Sequence, residues 1–216
     1  MHAITKLFLA GALSMAFGTG CALHRSVVTA EPQKVAESAT GKAVVITRVT
    51  DLRTFEVSPG EPSTPSLMDG AITDKATTAR AVGRKRGGFG KAFGDVLLPP
   101  GETVEGLVRE TVANALREAG YRVVPEGETP PPDARDLEVG VNQLWTWFTP
   151  GFWFVTLNFR SVLELNGSAV KGGSATVRSE LDKGFQVVVE SDWAKMLTMG
   201  RDLTGRNIKE KLENPS

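Results

Sequence analysis

Side chains able to do chemistry are scarce in this sequence, and their placement excludes more than it offers. The two histidines are His2 and His24, and the single cysteine is Cys21. Beyond residue 24, therefore, a Ser-His-Asp triad, a Cys-His pair or a His/Cys zinc site has no residues to build it. One cysteine also excludes an intrachain disulfide framework. Ser168-Ala169-Val170-Lys171 matches S-x-x-K, the nucleophile motif of penicillin-interacting enzymes. Here it follows Asn166-Gly167, a hairpin signal, rather than opening a buried helix. Ser191-Asp192-Trp193 is not the S-D-N that would accompany it. Paired acids could serve a glycan hydrolase, with Asp51, Glu138, Glu164, Glu180 and Asp182 as candidates. Acids on an exposed strand face are expected in any case, and Asp51 with Arg53 reads equally as an ion pair or turn cap.

Two stretches are better suited to contact than to catalysis. Gly83 to Gly94 is glycine-rich, and Arg84, Lys85, Arg86 and Lys91 precede its first acid, Asp95. Gly90-Lys91-Ala92 lacks the spacing and hydroxyl of a phosphate-binding P-loop. A basic loop carrying Phe89 and Phe93 suits anionic head groups or an acidic partner. The alternative is a solvated hairpin with its phenylalanines on the body. The second stretch is W-T-W-F-T-P-G-F-W-F, residues 145–154. Alternation predicts Trp145, Trp147 and Trp153 in the core, with Phe148, Phe152 and Phe154 on the opposite face. Either those rings form an exposed docking patch or another segment, such as residues 54–78, covers them.

The start of the chain carries an address. Lys6 and the amino terminus are positive, Leu7 to Phe17 is uncharged and largely apolar, and small residues Gly18-Thr19-Gly20 precede Cys21. This is a signal peptide over 1–20, too short to span a bilayer. Gly18-Thr19-Gly20-Cys21 resembles a lipobox, with Gly18 where a large aliphatic residue is usual. The resemblance implies that Cys21 is acylated, palmitate included, and becomes the new amino terminus. Ala22 follows where an inner-membrane retention signal has aspartate, so the expected site is the periplasmic face of the outer membrane. Simple cleavage and secretion is the alternative. Residues 21–41 read as lipidated cysteine and flexible tether, and 42–216 as one periplasmic domain.

Periodicity gives that domain its elements. Residues 43–49 read as a strand, 54–78 as a long Pro/Gly-containing loop, 80–86 and 95–98 as a strand pair, and 103–119 as an amphipathic helix stopped by Gly120. Strands at 121–124, 136–148, 153–165 and 174–189 follow. A last helix spans about 191–213, with Ser191 as its N-cap. Two one-sided helices must bury their apolar stripes on the sheet. The predicted fold is α+β, a two-layer sandwich whose mainly antiparallel sheet carries both helices on one face. The 25 basic and 25 acidic residues balance, which argues against a nucleic-acid binder.

Signal and Cys21, a strand ending Asp51-Leu52-Arg53, a long loop, and a helix closing Ala115-Leu116-Arg117-Glu118-Ala119-Gly120-Tyr121-Arg122-Val123-Val124 come in that order. With the meander and C-terminal helix, this order over 43–213 resembles the YajG-like bacterial lipoproteins. The GRKRGGFG segment departs from that pattern. The resemblance implies an envelope domain without an assigned activity, some members being linked by label to flagellar biosynthesis, and it carries no catalytic residue across. The function expected is a non-enzymatic adaptor or assembly factor, with no cofactor and no metal. It would be anchored through Cys21 and bind an envelope protein or lipid through Arg84, Lys85, Arg86, Phe89, Lys91, Phe148, Phe152 and Phe154. The alternatives are a carboxylate-dependent glycan hydrolase and a lipid or small-ligand carrier.

Overall fold

The computed structural model describes residues 25–36, 40–86 and 92–215, which form a mixed α/β domain. Residues 1–20, expected as a signal peptide, and Cys21, Phe89 and Lys91 lie outside the described residues. The strands are β1 (Ser26–Val27), β2 (Ala43–Asp51), β3 (Ala81–Arg86), β4 (Ala92–Leu97), β5 (Arg122–Val123), β6 (Arg135–Pro150), β7 (Val155–Asn166) and β8 (Ser174–Phe185). The helices are α1 (Lys75–Arg80), α2 (Val104–Glu118) and α3 (Glu190–Lys211).

One sheet holds the described strands, and its pairing is mixed, with parallel neighbours beside the antiparallel ones. β3–β4, β6–β7 and β7–β8 are antiparallel, whereas β1–β4, β2–β5, β2–β6 and β3–β6 are parallel. The physical reason is connectivity. β2 reaches β6 only after the chain has passed through α2, and a crossover of that length favours parallel neighbours. The sheet also forks. β6 pairs with β7 from Glu138 to Pro150 on one edge. On its other edge β2 pairs as far as Asp51↔Val141, and β3 takes over at Gly83↔Thr146.

α2 starts at Thr103, whose side chain accepts a hydrogen bond from the Gly106 N–H, and stops where Gly120 takes φ 98°. Its stripe of Val104, Leu107, Val108, Val112, Ala115 and Leu116 is buried. α3 begins after Val189 rather than Ser191. The Asp192 carboxylate accepts from the Val189 N–H at 3.0 Å. Trp193, Met196, Leu197 and Ile208 of α3 join the α2 stripe and the apolar residues of β2, β6 and β7 in one core.

A bulge at Asn142 divides β6 into two registers. The pairing with β7 steps between Val141 and Gln143, and an extra residue flips every later side chain to the other face. Before the bulge, Leu137, Val139 and Val141 face the main core; after it, Leu144 and Phe148 do. Trp145 and Trp147 thereby join a second apolar cluster, with Leu67, Ala81, Leu97, Phe55, Ala71 and Ile72. The expected placement of these two tryptophans with Leu137 and Val139 is corrected by that single residue. Segment 54–78 is likewise no bare loop. It holds a 3₁₀ turn (Met68–Thr73) and α1, and its Phe55 ring packs edge-on against Trp145 at 5.9 Å.

Two further expectations change. Asn166-Gly167 does not make a two-residue turn. Residues 167–173 connect β7 to β8, and a Cβ on Gly167 would lie 2.4 Å from the Asp136 carbonyl oxygen. Within the stretch expected as a tether, residues 25–36 dock on the body. Burial alternates from Ser26 to Ala30, placing Val28 and Ala30 in the main core. Beyond them the Glu31 N–H meets Thr198 Oγ1 at 2.9 Å and the Ala36 N–H meets Asn114 Oδ1 at 2.9 Å. This strap ties the N-terminal chain to α3 and α2.

Candidate functional site

The aromatic hairpin projects an apolar apex from one end of the sheet. β6 and β7 alternate regularly up to the turn, where Gly151 donates its N–H to the Phe154 carbonyl at 2.8 Å. A Cβ on Gly151 would stand 2.7 Å from that same oxygen, so the closeness of the turn requires glycine. Below the turn, Asn158 Nδ2 donates to Thr149 Oγ1 at 3.1 Å and the Thr156 carbonyl at 3.0 Å. Above those bonds Phe152 is 90% exposed, Trp153 78% and Phe154 55%. The Phe152 and Trp153 rings stack edge-on at 4.9 Å. Strand alternation ends at Pro150, which is why Trp153 leaves the core that period-two counting assigned it. Phe148 differs from its neighbours: it is half-buried, 6.1 Å from the Trp193 ring, and its role is packing.

β8 ends beside the apex, since Phe185 pairs with Val155. The chain that follows exposes Val187 and Val189, and Lys183 Nζ lies 5.6 Å from the Phe185 ring centre. No Asp, Glu, Lys or Arg occurs between Glu138 and Arg160. Large rings in water contribute little to folding, and Trp153→Ser is expected to change stability by no more than about 0.5 kcal/mol. Thermal unfolding checks this; a loss several times larger would mean the ring is packed.

Of the basic stretch, the described cations Arg84, Lys85 and Arg86 lie on β3. Arg84 and Lys85 are buried, which removes both from the candidate surface. The cause is partner strands supplied from far along the chain. Lys85 Nζ donates to Ser26 Oγ of β1 at 2.6 Å. Burial pulls the Lys85 ammonium below the ordinary lysine range, with Glu190 opposing the shift. Arg84 lies opposite Asp95 in the β3–β4 ladder. Asp95 is itself buried, accepting from Arg25 at 3.2 Å and from the Met68 N–H at 3.0 Å. Arg86 is half-buried and donates to the Pro59 carbonyl at 3.0 Å.

Asp51, Glu138 and Glu164 are spread along the sheet, whereas Glu180 and Asp182 line one small groove with Trp147 and Arg160. Asp51 holds Arg53, Glu138 lies 3.8 Å from Arg48, Glu164 accepts from Asn142, and Glu180 lies 2.9 Å from Arg160. Asp182 stands opposite Asn158 in the β7–β8 ladder. Among the described residues no group of three or more Asp, Glu, His or Cys is placed to hold a metal.

The S-x-x-K residues are built into a turn. Ser168 bonds the Asp136 carboxylate through both N–H and hydroxyl, and Lys171 Nζ donates to the Glu210 carbonyl at 2.9 Å. The Ser168 hydroxyl holds Asp136 below the usual aspartate range. The stabilisation from this contact is present above pH 3.8 and is lost as pH falls through the lowered value. Ser168→Ala is expected to raise the Asp136 pKa toward 3.8, read by carboxyl NMR titration. An unchanged value would contradict the hydroxyl's role.

Two open grooves on the described surface are polar. One of about 390 Å³ lies between α2 and α3 under the N-terminal strap, lined by residues such as Gln33, Asn114, Glu118, Asp202 and Lys209. Between sheet and helices the space is filled by Phe159, Trp193, Met196 and Leu197. Among the described residues no helix is long and apolar enough to cross a membrane.

The sequence pointed to the Asp51–Arg53 ion pair but not to the carbonyls that Arg53 also holds near the fork. Its guanidinium is fully buried and donates to both Asp51 carboxylate oxygens at 2.7 Å, and to the carbonyls of Thr78 at 2.9 Å, Leu144 at 3.3 Å and Ala81. The Asp51-Leu52-Arg53 spacing suggested an ion pair; the carbonyl acceptors come from α1, β3 and β6.

No family model matches the chain, and no curated protein matches it. Its structural neighbours are uncharacterised proteins. One such crystal structure has 14% identity and a TM-score of 0.43, covering 79% of this chain and 97% of its own. Another is protein XCC0632 from Xanthomonas campestris, family-model DUF330. It has 9% identity and a TM-score of 0.44, and covers 86% of this chain and 91% of its own.

Proposed function

We propose that this chain is a lipid-anchored protein of the bacterial envelope, of the YajG-like kind. In this reading it is a two-layer domain held at the periplasmic face of the outer membrane by acylated Cys21. It works without catalysis, docking onto another envelope component as an adaptor or assembly factor. The observation that carries the reading is the apex: three consecutive aromatic residues, Phe152, Trp153 and Phe154, stand exposed on a turn braced from below. A contiguous apolar projection is the form an interaction site takes when it has no chemistry to perform. Asp51, Glu138, Glu164 and Glu180 are each held by a nearby arginine or asparagine, which does not favour the glycan-hydrolase alternative. The filled interior does not favour the carrier.

Two measurements test the two halves of the proposal. Labelled palmitate is expected in the wild-type protein and absent from Cys21→Ser; label persisting in that variant would overturn the anchor. A photo-crosslinking residue in place of Phe152 is expected to give a discrete adduct in cells. The absence of any adduct would overturn docking through the apex.

A further inference from the structure

We infer that the component met by the apex is a lipid surface, and that it is the same membrane leaflet that holds the acyl chains on Cys21. The inference rests on the anchored reading above and goes further, because it orients the domain. It begins from strand directions. β1 runs parallel to β4, β4 antiparallel to β3, and β3 parallel to β6. β1 and β6 therefore run in opposite senses. Going back along the chain from Ser26 leads toward the end of the sheet that β6 approaches as it goes forward. Ser26 is level with Val96, Val96 with Gly83, and Gly83 with Thr146.

From that common level, Cys21 is five residue steps from Ser26, and Gly151 is five steps from Thr146. The first interval can reach at most about 17 Å beyond the level, and the second rises about 17 Å as strand. A lipid on Cys21 thus has the reach to enter a bilayer at the height of the apex. Residues 25–36 are docked rather than free, so the exit point of the anchor is set by the fold.

The chemistry of the apex matches such a surface. Tryptophan and phenylalanine suit the boundary between head groups and acyl chains. The uncharged run from Val139 to Phe159 means that burying the tip strips water from no ion. Beside the turn, Phe185 stands opposite Val155, and Lys183, opposite Leu157, is a cation for anionic head groups.

The test is depth-dependent quenching of tryptophan fluorescence. The full chain, with its lipid, is reconstituted into phosphatidylethanolamine/phosphatidylglycerol vesicles with either plain or brominated acyl chains. Brominated vesicles are expected to quench part of the emission, and Trp153→Phe is expected to abolish that difference. Buried Trp145 and Trp193 and half-buried Trp147, which packs on the second cluster, remain as the background. Equal emission in both vesicles, with Trp153 still open to aqueous iodide, would overturn the inference. Mass spectrometry of the same preparation separates the two readings. An acylated but unquenched protein rejects the membrane-facing apex and leaves the anchor standing; an unacylated, unquenched protein rejects both. Circular dichroism of Trp153→Phe confirms that the variant is folded.

Discussion

Arg53→Ala is expected to cost about 3–5 kcal/mol, the range for removing one partner from a buried charged network. In a chain of this size that lowers the melting temperature by about 6–20 °C. The reason lies in the fork of the sheet. β2 leaves the edge of β6 after Val141 and β3 joins it only at Thr146. The Leu144 carbonyl falls in the gap, where no strand can satisfy it. The Arg53 guanidinium fills that gap, and its other donors reach Ala81 at the start of β3 and Thr78 at the end of α1. Alanine would leave buried acceptors without donors and the Asp51 carboxylate without its cation. Lysine keeps the charge but offers one nitrogen in place of a planar fork, so Arg53→Lys is expected to recover only part of the loss. A melting temperature within about 2 °C of wild type for Arg53→Ala would show that the fork does not depend on this residue.

Gly200→Ala is the second large effect, and its sign discriminates. On helix propensity alone, alanine would stabilise a helix interior by about 1 kcal/mol over glycine. Here a Cβ would stand 2.4–2.6 Å from three atoms of the Phe159 ring, which β7 holds in the core beneath α3. The ring has little room to move, so α3 must lift from the sheet. The expected outcome is a loss of about 1–3 kcal/mol, as for overpacking generally. Pairing it with Phe159→Leu is expected to cost less than the two single changes summed, because each relieves the other. Denaturant unfolding checks both. A Gly200→Ala variant more stable than wild type would mean the helix does not approach the sheet this closely.

Much of the fold was legible because it follows from periodicity. The α2 stripe and its Gly120 stop predicted 103–119 against Val104–Glu118, and the long β6–β7 hairpin was anticipated from its alternation. What escaped depended on one residue or on distant partners. Asn142 and Gln143 are both polar, and nothing in their types says which is the extra one in the ladder. That choice nevertheless sends Trp145 and Trp147 to the other face of the sheet. Arg84 and Lys85 looked like surface cations because cations usually are. Their burial requires β1, from near the start of the chain, and β4, beyond the glycine-rich stretch. The S-V-V-T-A alternation at 26–30 was too short to read as a docked strap. Of the contact candidates, Phe152 and Phe154 were placed correctly outside the core, and Phe148 was not. Trp153 was missed because a rule for strands was carried past the strand's end.

The central claim is that the apex is where this domain meets the envelope, and in-cell photo-crosslinking at two positions tests it most directly. The probe replaces Phe152 at the tip in one strain and Arg86 at the end of β3 in another, with adducts identified by mass spectrometry. The account predicts a strong adduct at Phe152, with phospholipid as its principal component, and a weaker one at half-buried Arg86. An equal or stronger adduct at Arg86, with none at Phe152, would contradict it.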